Sequence, residues 1–358
     1  MKLAALRELM TDKNLDGVLV AQSENRRYLS GFTGSAGVLI ITLDRQAIAT
    51  DFRYYEQVEA QCPDWELIQV GRDFEGRMLD VLRDLGLGGR SVGFEASHVS
   101  VNQLLGWEQA VKGHLRLTNT TQLVESLRMS KDEQELQALR RAVALADEAL
   151  AHIYDWIQPG MSERQVAWEL ESTMRTRGAA GTAFEAVVAS GPNGSLPHHR
   201  AGDRIIQVGE PVMMDLGCVV DGYCSDVTRS VCLGEPRDGR YLEIWNLVLR
   251  AQETAEAGVK AGISGVGADK LARRVIVEAN YGDYFGHSLG HGVGLAVHED
   301  PKLSPQYPGM IPAGAVVTVE PGIYLSGWGG VRIEDMVLVR NSGVEVLTGA
   351  AKVPVLDR

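Results

Sequence analysis

The chain has 358 residues, more than one ordinary hydrophobic core accommodates, so two domains are expected. Hydrophobic residues make up 45% and charged residues 23%, the balance of a folded globular protein. A formal net charge of −12 argues against nucleic acid or an anionic membrane as the main partner, because the average surface would repel either.

The N-terminal MKLAALRELMTDKN has helical periodicity but lacks the apolar segment of a signal peptide. No apolar run approaches the roughly 18 residues of a membrane span. Cys62, Cys218, Cys224 and Cys232 show no CxxC spacing and read as reduced, buried thiols. The expectation is a cytoplasmic protein with no membrane and no nucleic-acid partner.

Residues 1–126 alternate short apolar strands with helices. Strands are expected at 17–21, 37–42, 46–50, 66–70 and 91–95, and helices at 3–13 and about 74–86. This half reads as a compact α/β domain without a catalytic cluster. A long helix should open a second domain, 127–358. Ser130 and Glu133 form an S-x-x-E capping box, followed by Leu136, Leu139, Val143, Ala146 and Leu150 at helical spacing. Ser162 and Gln165 repeat the pattern ahead of Val166, Leu170 and Met174.

Further on the composition changes. Five of the eight histidines lie between positions 198 and 298, and acids interrupt apolar strands. Buried acids are costly unless something satisfies them. The segment VMMDLGCVVDGYCSDVTRSVC reads as a hairpin turning at Asp221-Gly222. That turn sets Asp215 opposite Thr228 and Asp226 opposite Gly217, all on one face. Two close carboxylates repel each other, and a divalent cation would resolve the conflict. A solvent-facing sheet with scattered acids is the alternative, but Val212, Met213, Met214, Val219, Val220, Val227 and Val231 make exposure a poor fit.

FGHSLGHGVGLAVHEDP then brings His287, His291 and His298 close together. Its glycines disfavour a helix, and they indicate a tight loop–strand path with the backbone close to a ligand. Glu320, in AVVTVEPGIYL, and Glu334, in GVRIEDMVLV, are single acids inside apolar strands. Taken singly, each is explained by a salt bridge, for which Arg332 is available.

Taken in order, DLG-x8-SD, HGVGLAVHE, VEPGIY and RIED resemble the metal motifs of the Xaa-Pro peptidases, prolidase and aminopeptidase P, of the pita-bread metallohydrolases. RRYLSGFTGSAGVLIIT and ATDFRYYEQ resemble the creatinase-like N-terminal domain of the same family. The resemblance implies an α/β creatinase-like domain followed by an α+β pita-bread catalytic domain. It implies two divalent metal ions. Asp215 would bind one, His291 and Glu320 the other, and Asp226 and Glu334 would bridge them. One imidazole and four carboxylates suit Mn²⁺ or Co²⁺, with Zn²⁺ compatible.

By the same resemblance His198, His298 and Glu320 are the catalytic groups, with His199 merely a neighbour of His198. His287 lies near the proline pocket, and Arg332 lies near the metals and binds substrate. The expected activity is an exopeptidase hydrolysing Xaa-Pro bonds with a hydroxide bridging the two metals. A dipeptidase is favoured over aminopeptidase P; a metal-free creatinase-like hydrolase and an inactive binding module are further alternatives. Some prolidases carry an Arg shortly after the VHE segment, where this chain has Lys302, so Arg332 or Arg53 is expected to meet a substrate carboxylate. The family also implies a homodimer.

Overall fold

The computed structural model describes residues 2–358, which fall into two compact units, one ending at Arg128 and the other running from Met129 to Arg358. In the first unit, six strands form a sheet in the order Glu66–Gln69, Gln46–Thr50, Val38–Thr42, Gly17–Val20, Ser91–Glu95, Arg116–Thr120. Val38–Thr42 runs antiparallel to both neighbours and the other pairs are parallel. The five expected strands all form. The sixth, RLTNT, is too polar to announce itself by its sequence. Leu19, Ile40, Val92 and Trp107 centre the core.

The second unit pairs two antiparallel sheets with two sets of helices. A four-stranded sheet, in the order Val355–Leu356, Val227–Leu233, Pro211–Leu216, Val187–Ser190, packs on helices Glu133–Trp156 and Glu163–Thr176. A five-stranded sheet, in the order Glu299–Leu303, Gly290–Gly292, Val316–Val319, Asp335–Arg340, Gly343–Val346, packs on Arg240–Gly258 and Gly265–Glu278. Strand alternation does the sorting. Val212, Met214 and Leu216 join the helix-side core, so Asp215 takes the opposite face. Val317 and Val319 likewise face their helices, leaving Thr318 on the other side. Each such fully buried valine is worth about 1.5–3 kcal/mol relative to exposure, enough to hold the polar faces in register.

One helix start differs from expectation. Asp132, not Ser130, caps Glu133–Trp156: its Oδ1 accepts from Glu135 N at 3.0 Å, and Glu135 Oε2 accepts from Asp132 N at 2.8 Å. Ser130 instead donates Oγ to Ala313 O at 3.0 Å, and Lys131 N bonds Gly314 O. These bonds hold 130–131 outside the helix, and a carboxylate suits the positive helix end better than a hydroxyl. The Ser162–Gln165 box forms as expected.

Candidate metal centre

The hairpin turns at Asp221 and Gly222, both at positive φ (48° and 79°), as a two-residue turn of the right twist requires. That turn sets the register Val220↔Tyr223, Val219↔Cys224 and Val227↔Leu216, which brings Thr228 opposite Asp215. The register is the same on both sides of Asp226 and keeps it opposite Gly217, though without ladder hydrogen bonds. The ladder breaks between its two halves, and a Cβ at Gly217 would lie 2.0 Å from Ser225 O, so no ordinary pair forms there. The Asp226 N–H points to Met336 Sδ at 3.2 Å instead of to Gly217.

In the histidine segment the glycines bring the backbone close to neighbouring strands. A Cβ at Gly290 would lie 2.0 Å from Thr318 O, and one at Gly292 2.5 Å from Asp300 O. The segment is also clamped from helix Gly265–Glu278. Asp269 Oδ1 accepts from Leu289 N, and Arg273 pairs with Asp269 while donating to the carbonyls of Phe285 and His287. His287 Nδ1 lies 2.8 Å from Ser288 O. A carbonyl only accepts, so this nitrogen carries the proton, and Nε2 accepts from Tyr324 Oη at 2.9 Å.

Glu334 is held from both sides. Thr228 Oγ1 donates to its Oε2 at 2.6 Å, its backbone N–H bonds Thr228 O, and Arg229 binds its carbonyl from behind. Glu320 Oε1 accepts from Thr318 Oγ1 at 3.0 Å. Arg332 pairs with neither glutamate. Its Nη2 lies 2.6 Å from Asp215 Oδ2, its Nε donates to Thr228 Oγ1, and its Nη1 donates to Tyr324 Oη and Pro197 O. Four of the five guanidinium N–H groups therefore have protein partners.

The electrostatics ask for cations. Burial, then Glu334, Asp215 and Glu320, push the Asp226 carboxyl well above the usual range. Burial, then Glu320 and Asp215, do the same to Glu334, and burial raises Glu320. His291 sharpens the conflict. Its Nδ1 lies 3.1 Å from Gly292 O, so Nδ1 donates. Burial lowers its pKa and favours the neutral ring. The lone pair of Nε2 then faces Glu320 Oε1 at 3.3 Å and Asp226 Oδ2 at 3.6 Å, acceptor against acceptor. Asp215 Oδ1 is buried with no hydrogen-bond partner. Donor atoms of Asp226, His291 and Glu334 lie within 4.8 Å of one another, close enough to share an ion. A divalent cation shared by Asp226, His291 and Glu334 would relieve this conflict, and the carbonyl on Nδ1 is the usual brace of a metal-binding histidine.

All nine side chains singled out from the sequence line one cavity of about 460 Å³. His298 packs edge-on against His291 with ring centroids 4.3 Å apart, and burial, then His291, lower its pKa. Lys302, Arg200 and Phe184 also line the cavity. Sequence reasoning missed the roles of Tyr324 and Thr318; both stand within or beside the quoted VEPGIY motif, but only their long-range partners reveal them.

Fold and cluster together define a metallopeptidase. The profile of metallopeptidase family M24 matches residues 137–341, and that of the Creatinase/Prolidase N-terminal domain matches residues 2–130. The chain belongs to family M24, and its architecture is a creatinase-type α/β domain followed by a pita-bread catalytic domain. It is 42% identical over 352 residues to an uncharacterized peptidase of Bacillus subtilis, YqhT, covering 98% of this chain and 99% of that one. A solved Xaa-Pro dipeptidase from Bacillus anthracis superimposes with a TM-score of 0.95 at 40% identity over 99% of both chains. An X-Pro aminopeptidase from Thermotoga maritima does so at 0.87 and 37%, covering 95% of this chain and 97% of that one. Among the described residues no helix is long and apolar enough to cross a membrane.

Proposed function

We propose that this protein is a metal-dependent exopeptidase that hydrolyses the Xaa-Pro bond of dipeptides, with its catalytic domain spanning 127–358 behind an N-terminal domain of 1–126. The observation that carries the reading is His291 Nε2 facing the Asp226 and Glu320 oxygens inside a buried cluster of acids. Asp215, Asp226, His291, Glu320 and Glu334 would hold two divalent ions, Mn²⁺ or Co²⁺ in preference to Zn²⁺ for so oxygen-rich a set. Such ions neutralise the acids, acidify a water and polarise the scissile carbonyl.

The chain's own residues would do the rest. Glu320, with one oxygen on Thr318 and a carboxyl raised by burial, takes the proton from the attacking water and passes it to the prolyl nitrogen. His298, kept neutral by burial, donates a hydrogen bond to the developing oxyanion. His198, on the cavity wall, donates to the bound peptide. Xaa-Pro is a tertiary amide with no N–H to grip, so recognition rests on the ring. His287, backed by Phe285 and Tyr324, and Phe184 are the rings on the cavity wall that can meet it.

A dipeptide ends in a carboxylate directly after proline. Arg332 is engaged with Asp215, Arg53 with Asp51 and Arg200 with Glu185, so we assign the carboxylate to Lys302, which lines the cavity. The likeness to the Bacillus anthracis enzyme, named a dipeptidase, supports this form. The net charge of −12 fits a peptide rather than a nucleic-acid partner. Four free, buried cysteines fit a cytoplasmic location, and the family resemblance implies a homodimer.

Matched Ala-Pro and Ala-Pro-Ala peptides test the reading. The expected result is a higher kcat/KM on Ala-Pro, with Lys302→Met raising KM for the dipeptide alone. A preference for the tripeptide would make the protein an aminopeptidase P and leave the metal chemistry intact.

A further inference from the structure

His198 stands in a segment, 191–204, whose regular structure is a single 3-10 turn over Gly191–Ser195. A side chain on such a segment is placed only as well as the segment is anchored. The anchor is Glu163, the first residue of helix Glu163–Thr176, whose side chain is fully buried.

Its carboxylate gathers donors from along the segment. Oε1 accepts from Ser190 N and Oγ, both at 2.8 Å, and from Asn193 Nδ2 at 3.0 Å. Oε2 accepts from His199 Nε2 at 2.8 Å, Asn193 Nδ2 at 3.2 Å and Gly202 N at 3.3 Å. Burial alone would raise this carboxyl, but the bonds from Ser190, His199 and Asn193 outweigh it and hold the group below its usual value. Glu163 is therefore an anion with its lone pairs filled. On the other side of His198, the carbonyl of Pro197 is pinned by Arg332 Nη1 at 3.3 Å. His198 is bracketed between two buried charges, one on each adjacent residue.

We propose that His199 is a positioning residue: clamped on Glu163, it fixes the backbone of 197–200 so that His198 faces the cavity, and it acts on turnover only through His198. This rests on the reading of His198 as a group that touches substrate. His199 also borders the cavity, but its Nε2 is turned onto Glu163 and so is not offered to a substrate.

A double-mutant cycle on the Mn²⁺-loaded enzyme with Ala-Pro tests it. His199→Ala should lower kcat about tenfold or more, the scale of a small misplacement at a reacting centre, with little change in KM or in bound metal. His199→Gln, which keeps a donor near the Nε2 position, should recover most of the loss and guards against a folding defect in the alanine variant. In the His198→Ala background, His199→Ala should change kcat by less than about twofold. In metal-free protein the His198 ring resonances should broaden or split in His199→Ala and stay single in His199→Gln. An equal loss in both backgrounds, or unchanged His198 resonances, would overturn the positioning role while leaving His198 in place. A His198→Ala enzyme with full activity would overturn the reading of His198 and the inference with it.

Discussion

Arg332 Nη2 lies 2.6 Å from Asp215 Oδ2, while Oδ1 of the same carboxylate is buried without a hydrogen-bond partner. The guanidinium thus orients Asp215 and leaves one oxygen for a cation. Lysine cannot reach Asp215, Thr228 and Tyr324 together. Arg332→Lys should lose about tenfold or more in kcat on Ala-Pro and Ala-Pro-Ala alike, with weaker metal binding. A KM rise confined to the dipeptide would instead make Arg332 the substrate-carboxylate partner.

Asp226→Asn should lose metal and activity together. Asp226 sits among Glu334, Asp215 and Glu320, and a neutral amide can neither balance two ions nor offer two anionic oxygens. Metal analysis of the purified variant checks it; full metal content with low activity would remove Asp226 from the ligand set.

His298→Ala should retain metal and lose about two or more orders of magnitude in kcat, the cost of a missing oxyanion donor. Its ring packs edge-on against His291 and borders the cluster, whereas His291 Nε2 faces the Asp226 and Glu320 oxygens. Loss of metal in this variant would move His298 into the ligand set.

Stability should depend on pH in a direction the metal reverses. Burial and mutual repulsion hold Asp226 and Glu334 above the ordinary carboxyl value of about 4. As pH rises past that value the unfolded chain releases these protons before the fold does. The metal-free fold therefore loses stability through the window up to the raised folded values. Metal displaces those protons and removes the penalty. The Tm difference between Mn²⁺-loaded and chelated protein should widen as pH rises above the ordinary carboxyl value of about 4. A difference that narrows as pH rises would contradict the buried-acid account.

How much of this was legible in the sequence depends on range. The Asp221-Gly222 turn is local, and a two-residue turn dictates register, so the Asp215–Thr228 pair could be read directly. The same turn places Asp226 opposite Gly217, but the loss of ladder hydrogen bonds there, with Ser225 O close against Gly217, has no local sign in the sequence. The cap was ambiguous: Ser130 and Asp132 each precede a glutamate by three, and Ser130 is claimed by Ala313 far along the chain. Arg332 has the same difficulty. Its choice of Asp215 over two nearer glutamates follows from the fold bringing residues 117 positions apart together. The His199 clamp on Glu163 spans 36 positions, and beside His198 the second histidine had no feature of its own in the sequence.

Metal dependence is the central claim, and its most direct measurement is Ala-Pro hydrolysis by chelated protein titrated with Mn²⁺. The metal-free chain should give no turnover, and the rate should rise to saturation at about two ions per chain, as a paired-metal site requires. Full turnover by protein shown to be free of metal would contradict metal dependence.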